Sequence, residues 1–96
     1  MIKGKITIQF NTNTKKYSVY NKTEVSPPQY MGFITKRNNP VTGSWFICCP
    51  VRYLPDTDTF PEAKELFVTT ILEILGSKIV REIVSDDGNN WSITYE

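Results

Sequence analysis

The chain has 96 residues, 40% of them hydrophobic, 22% charged and 12% aromatic, with a formal net charge of +1. That length suits one domain over 1–96, since independent cores need roughly 50 to 200 residues, and the apolar fraction excludes a disordered tail, a collagen-like fibre or a low-complexity linker. No apolar run approaches the ~18 residues of a membrane span and no basic-then-apolar leader opens the chain, so a cytoplasmic domain without membrane contact is expected.

From Ile2 to Phe10 the sequence alternates, with Ile2, Ile6, Ile8 and Phe10 on one face and Lys3, Lys5, Thr7 and Gln9 on the other. Period two with β-branched residues predicts a half-buried strand. Asn11-Thr12-Asn13-Thr14 is turn chemistry, because asparagine side chains bond locally and tolerate left-handed backbone. Lys15 to Tyr20 alternates again, Tyr17 and Val19 against Lys16, Ser18 and Tyr20, and completes a hairpin. Ser26-Pro27-Pro28 cannot donate to a ladder and reads as a loop.

A third strand is predicted over about Tyr30 to Arg37, a turn at Asn38-Asn39-Pro40-Val41-Thr42-Gly43, and a fourth strand over Ser44 to Tyr53. In the fourth, Trp45, Ile47, Cys49 and Val51 share one face while Phe46 and Cys48 occupy the other. Apolar groups on both faces predict a central position, with Pro50 near a strand end or bulge.

Thr59-Phe60-Pro61-Glu62 has capping-box spacing, and proline is tolerated in a first helical turn. Ala63, Leu66, Phe67, Thr70, Ile71 and Ile74 follow as a core-facing stripe, and Gly76 stands where a left-handed cap belongs. A helix over about 60–75 is predicted. Lys78 to Val84 then reads as a strand, with continuation of the helix over Ser77 to Val84 as the alternative. Asp86-Asp87-Gly88-Asn89-Asn90 is a turn before a last strand at Trp91-Ser92-Ile93-Thr94-Tyr95. The fold class is therefore α+β: a two-layer domain of order β-β-β-β-α-β-β, with five or six antiparallel strands and one helix on one face.

The chain has no histidine, which removes the commonest general base and every Ser-His or Cys-His nucleophile. Cys48 and Cys49 are adjacent, point to opposite faces of a strand and read as free thiols. No enzyme, cofactor or metal site is expected. Asp56-x-Asp58 and Asp86-Asp87-Gly88-Asn89-Asn90 offer oxygen ligands without the full calcium-loop spacing. The sequons at Asn21-Lys22-Thr23 and Asn90-Trp91-Ser92 read as coincidental.

Charge carries the functional signal. Residues 1–54 hold eight cations (Lys3, Lys5, Lys15, Lys16, Lys22, Lys36, Arg37 and Arg52) against Glu24 alone, a local +7. Residues 55–96 hold three cations against nine carboxylates, a local −6. The basic segment also contains eight of the twelve aromatic residues. Cations track a phosphate backbone and exposed rings stack on splayed bases, so single-stranded DNA or RNA is the expected partner. Lys3, Lys5, Lys16, Lys36, Arg37 and Arg52 are the candidate phosphate contacts, with Tyr20 or Trp45 stacking. The alternative is a protein partner docked by Asp56, Asp58, Glu62, Glu65, Asp86 and Asp87. A homodimer through an uncovered sheet edge is a third reading. Lys3 and Lys5 alternate with buried Ile6 and Ile8, so both are expected on the side away from the helix.

Overall fold

The computed structural model describes residues 2–37 and 44–96. Its elements are β1 (Gly4–Asn11), β2 (Lys16–Thr23), β3 (Gln29–Lys36), β4 (Trp45–Cys48), α1 (Phe60–Leu75), β5 (Ile79–Val84) and β6 (Asn90–Tyr95). They form one antiparallel sheet in the spatial order β4-β3-β2-β1-β6-β5. Two layers result, a six-stranded sheet and one helix, in the order the alternation predicts. The segment after the helix is a strand. The turn expected at 38–43 lies outside the described residues. Among the described residues, no helix is long and apolar enough to cross a membrane.

One face of the sheet meets the helix. Ile6 and Ile8 of β1, Val19 of β2, Ile34 of β3, Ile47 of β4 and Ile93 and Tyr95 of β6 are all buried there. Ala63, Phe67, Val68, Ile71 and Leu72 of α1 pack into the same core. Ile2 precedes β1 and is half exposed, so the first apolar position of the alternation contributes little to that core.

Thr59 caps the helix: its hydroxyl oxygen accepts from the Glu62 N–H at 3.4 Å, while the hydroxyl donates to Glu62 Oε1 at 2.9 Å. At the other end Gly76 adopts φ 65°, and the Ser77 N–H bonds back to the Leu72 carbonyl at 2.9 Å. That six-to-one bond is the Schellman closure a left-handed glycine permits. Ile74 is 51% exposed although it lies on the same helical face as Phe67 and Ile71. Leu75 beside it is 41% exposed, so the buried stretch of the helix ends at Leu72.

The expected central position of β4 is corrected: β4 is an edge strand of only four residues, paired with β3 alone in the sheet. Cys49 and Pro50 leave the ladder, and a proline there cannot donate to a second neighbour. The apolar residues on both faces of β4 are covered by other means. Trp45 packs under the helix, and Phe46 meets the Phe33 ring at 6.0 Å between centroids.

Gly32 explains how β3 accommodates the helix. It has φ 128°, and a Cβ there would overlap the Cys48 carbonyl and lie 3.1 Å from the Phe67 ring. Only glycine lets the Phe67 ring approach this backbone so closely.

Candidate functional site

Ladder alternation assigns each strand side chain to the helix-covered face or to the open one. On the open face Lys5 stands directly opposite Lys22, Thr7 opposite Tyr20, Gln9 opposite Ser18 and Asn11 opposite Lys16. A register shift after Val19 sets Tyr20 against Tyr30, and Phe33 follows opposite Ser18. Phe46 faces Thr35 on β4, while Arg81 and Ile83 of β5 face Thr94 and Ser92 of β6. No carboxylate occupies any of these open positions.

Lys5 and Lys22 give this face its character. Like charges directly across a ladder are destabilising, so the pair lowers stability unless an anion lies between them. Neither ammonium is ion-paired with a described carboxylate. They line a hollow of about 330 Å³ together with Thr7, Gln9, Tyr20 and Pro28. The Ser26-Pro27-Pro28 loop thus puts a proline ring on the rim of the basic strands. A second hollow of about 300 Å³ carries Lys5 and Lys22 on toward Glu24 and Thr94.

Aromatic rings continue the face towards β4. The Tyr20 and Tyr30 rings meet edge-on with centroids 5.7 Å apart, as do Phe33 and Phe46 at 6.0 Å. Lys16 Nζ lies 4.4 Å from the Phe33 centroid, and the Arg37 guanidinium 4.5 Å from that of Phe46. Burial, then the nearby Cys48 and Tyr20, raise the Tyr30 hydroxyl above its usual pKa. Tyr30 therefore stays neutral at physiological pH and adds no negative charge.

The structure divides the predicted site residues. Lys5, Lys16 and Tyr20 meet on the open face, and Lys3 precedes β1 with the parity of Lys5. Neither Lys3 nor Lys5 is paired with a helix carboxylate. Trp45 sits on the opposite side, in a cluster with Tyr17, Phe60 and Trp91, where its centroid is 5.2 Å from that of Phe60. It is withdrawn from the candidate stacking set. Arg52 bonds Glu73 of the helix at 3.1 Å, so it also leaves the set. Arg37 is ion-paired with Asp56, whose hydrogen bond is the main cause of its raised pKa, and lies at the rim. Lys36 ends β3 opposite Trp45 and is exposed. Lys22, Tyr30, Phe33, Phe46 and Arg81 complete the face. Of these, Lys22 was readable from parity alone, had β2 been carried past Tyr20.

The acidic residues of the alternative reading serve local structure for the most part. Asp56 is held by Arg37 and Ser44, and Glu62 by the Thr59 cap. Asp87 accepts from the Ser85 hydroxyl and the Asn89 N–H, which lower its pKa in that order. Asp58, Glu65 and Asp86 are exposed. Among the described residues, no group of three or more His, Cys, Asp or Glu side chains is placed to hold a metal ion. Cys48 and Cys49 are free thiols, both half-buried.

No family model matches this chain, and neither does any curated protein or solved structure.

Proposed function

We propose that the protein is a small non-enzymatic module that binds single-stranded nucleic acid on the open face of its sheet. The observation carrying this reading is the unpaired Lys5–Lys22 couple beside Tyr20, around one hollow that no carboxylate lines. Two ammoniums facing each other suit a phosphodiester, which removes their repulsion on binding. Tyr20, Tyr30, Phe33 and Phe46 offer π-surface for bases at strand spacing, and stacking is tolerant of sequence. The chain's lack of histidine removes the commonest general base. A reducing compartment such as the cytoplasm suits the two free thiols. A protein partner docked by the carboxylates is less favoured, since Asp56, Glu62 and Asp87 already serve an ion pair, a helix cap and a turn.

Fluorescence anisotropy with labelled single-stranded DNA and RNA, at 50 and 200 mM salt, tests the proposal. Binding is expected at low salt and is expected to weaken steeply as salt rises, because phosphate contacts release counterions. No binding at low salt, or binding indifferent to salt, defeats it.

A further inference from the structure

We infer that β5 is a self-association edge, through which two copies of the chain join their sheets across a two-fold axis. All six residues of β5 are exposed, and Ile79, Val80, Ile83 and Val84 each leave about half of their surface in solvent. An apolar strand with an unpaired edge is a template for another strand. The opposite edge of the sheet is engaged at Trp45, whose N–H donates to the Thr57 carbonyl at 2.8 Å while the Thr57 N–H returns a bond at 3.1 Å. Pairing one edge with its own copy about a two-fold axis is isologous and closes at two chains.

The backbone fixes which groups are free. The Ser85 N–H donates to the Asn90 carbonyl at 2.8 Å, so Ser85 and Asn90 form a hydrogen-bonded pair. Antiparallel ladders alternate, so Ile83 and Arg81 also turn their backbone groups toward β6, while Glu82 and Val84 turn theirs outward. The register shift between Ile79 and Arg81 interrupts the edge at Val80 and limits the ladder to 81–85.

Charge then selects the register and the occupant. A two-fold axis perpendicular to the sheet keeps both helices on one side and sets one residue of β5 against its own copy. Centring on Arg81 or on Glu82 opposes like charges. Centring on Ile83 sets Ile83 against Ile83, and Glu82 against Val84 in both directions, which uses every outward N–H and carbonyl of the two residues. It also places Arg81 opposite Ser85 of the other copy, whose hydroxyl holds the Asp87 carboxylate, so a cation meets an anionic turn. Glu82 keeps Lys64 as its own partner, so its charge is not left alone at the seam. Five paired residues a side make a small interface, below the standard size of specific complexes, so the pair is concentration-dependent. Association through this edge is independent of the nucleic-acid reading, although it would merge the two open faces into one.

Light scattering after size exclusion tests this on the native chain. The mass is expected to rise from that of one 11.0 kDa chain toward two as concentration increases. Ile83→Lys, at an exposed position, is expected to keep the monomer mass with its thermal midpoint unchanged. A native chain that remains monomeric at about 1 mM, where even millimolar affinity populates a dimer, overturns the inference. So does an Ile83→Lys chain that associates like the native one. Register is read by oxidative cross-linking in a Cys48→Ser, Cys49→Ser background. Ile83→Cys should cross-link to its own copy, since non-hydrogen-bonded partners lie ~4.5 Å apart between Cα atoms, within disulfide reach. Arg81→Cys should not, and equal cross-linking by both variants overturns the register.

Discussion

The Tyr95 hydroxyl donates to Asn21 Oδ1 at 2.6 Å, joining residues 74 positions apart in the sequence. Both are buried, Tyr95 at 2% and Asn21 at 8% exposure. The bond reaches from β6 to β2 across β1, over Gly4. A Cβ at Gly4 would stand 2.5 Å from the hydroxyl oxygen and 2.7 Å from the Lys22 carbonyl, so the glycine makes room for the bridge. Removing the hydroxyl leaves a buried amide oxygen without a partner, which costs about 1 to 3 kcal/mol. Tyr95→Phe is therefore expected to lower the urea midpoint at an unchanged slope. An unchanged midpoint would show that the bond adds nothing to stability.

Two glycines with positive φ should respond differently to alanine. At Gly32 a Cβ collides with the Cys48 carbonyl and crowds the Phe67 ring, whereas at Gly76 nothing lies within 4 Å. Gly76→Ala is left with the left-handed backbone cost alone, about 1 to 2 kcal/mol. Gly32→Ala must also displace the helix or β4, and a loss of at least about 3 kcal/mol is expected. Thermal melts of the two variants side by side check the ranking.

Asp87 predicts an acid response. The Ser85 hydroxyl and the Asn89 N–H bond its ionised carboxylate and hold its pKa below the usual value. A carboxylate depressed in the folded state stabilises above its unfolded pKa of about 3.9, and that contribution is lost as pH falls through the lower folded value. Asp87→Asn should thus be the less stable chain at pH 7, with the gap closing below about pH 4. Urea midpoints at pH 7 and pH 3 measure this. A gap of the same size at both values would assign the difference to shape rather than charge.

The helix was legible because its signals are local: Thr59 and Glu62 at its start, Gly76 at its end, and an apolar stripe between. Strand faces were legible from parity, which placed Lys5, Lys16 and Tyr20 on the same side. Spatial strand order was not, because nothing local in Trp45-Phe46-Ile47-Cys48 says that β4 has one neighbour. Its two apolar faces reflect a helix-side aromatic cluster and the Phe33–Phe46 contact, not two flanking strands. Arg37 and Arg52 could not be separated from the free cations for the same reason. Asp56 and Glu73, which engage them, lie 19 and 21 positions away and meet them only after folding. Val68 and Leu72 joined the core because the helix buries a wider arc than the narrow stripe suggested.

Tyr20 and Trp45, once equivalent candidates for base stacking, now make opposite predictions. Tyr20 is on the open face, and Trp45 packs with Tyr17 and Phe60 beneath the helix. Tyr20→Ala is expected to cost oligonucleotide binding about 1 to 3 kcal/mol, the range for loss of one stacked base, with little change in melting temperature. Trp45→Ala is expected to destabilise the fold by about 2 kcal/mol and to leave the affinity of the remaining folded protein near that of the native chain. Anisotropy and thermal melts on both variants separate these roles. The reverse pattern would place the interface on the helix side.

Charge reversal gives the most direct reading of the open face. Lys5 and Lys22 oppose each other without a carboxylate partner, whereas Arg52 is engaged by Glu73 at 3.1 Å. Lys5→Glu with Lys22→Glu removes two phosphate contacts and introduces two repulsions, so binding at low salt should fall at least tenfold. Single Lys5→Ala or Lys22→Ala variants should each reduce the slope of log affinity against log salt by about 1. Arg52→Glu exchanges an exposed ion pair worth about 0 to 1 kcal/mol for a repulsion of similar size, and should alter stability slightly and oligonucleotide affinity hardly at all. The contrast matters because all three residues belong to the same basic stretch of sequence. A generally basic protein would lose affinity with each charge removed, wherever it lies. If Arg52→Glu weakens binding as much as reversal at Lys5 and Lys22, the attraction is diffuse and the sheet face is not its site.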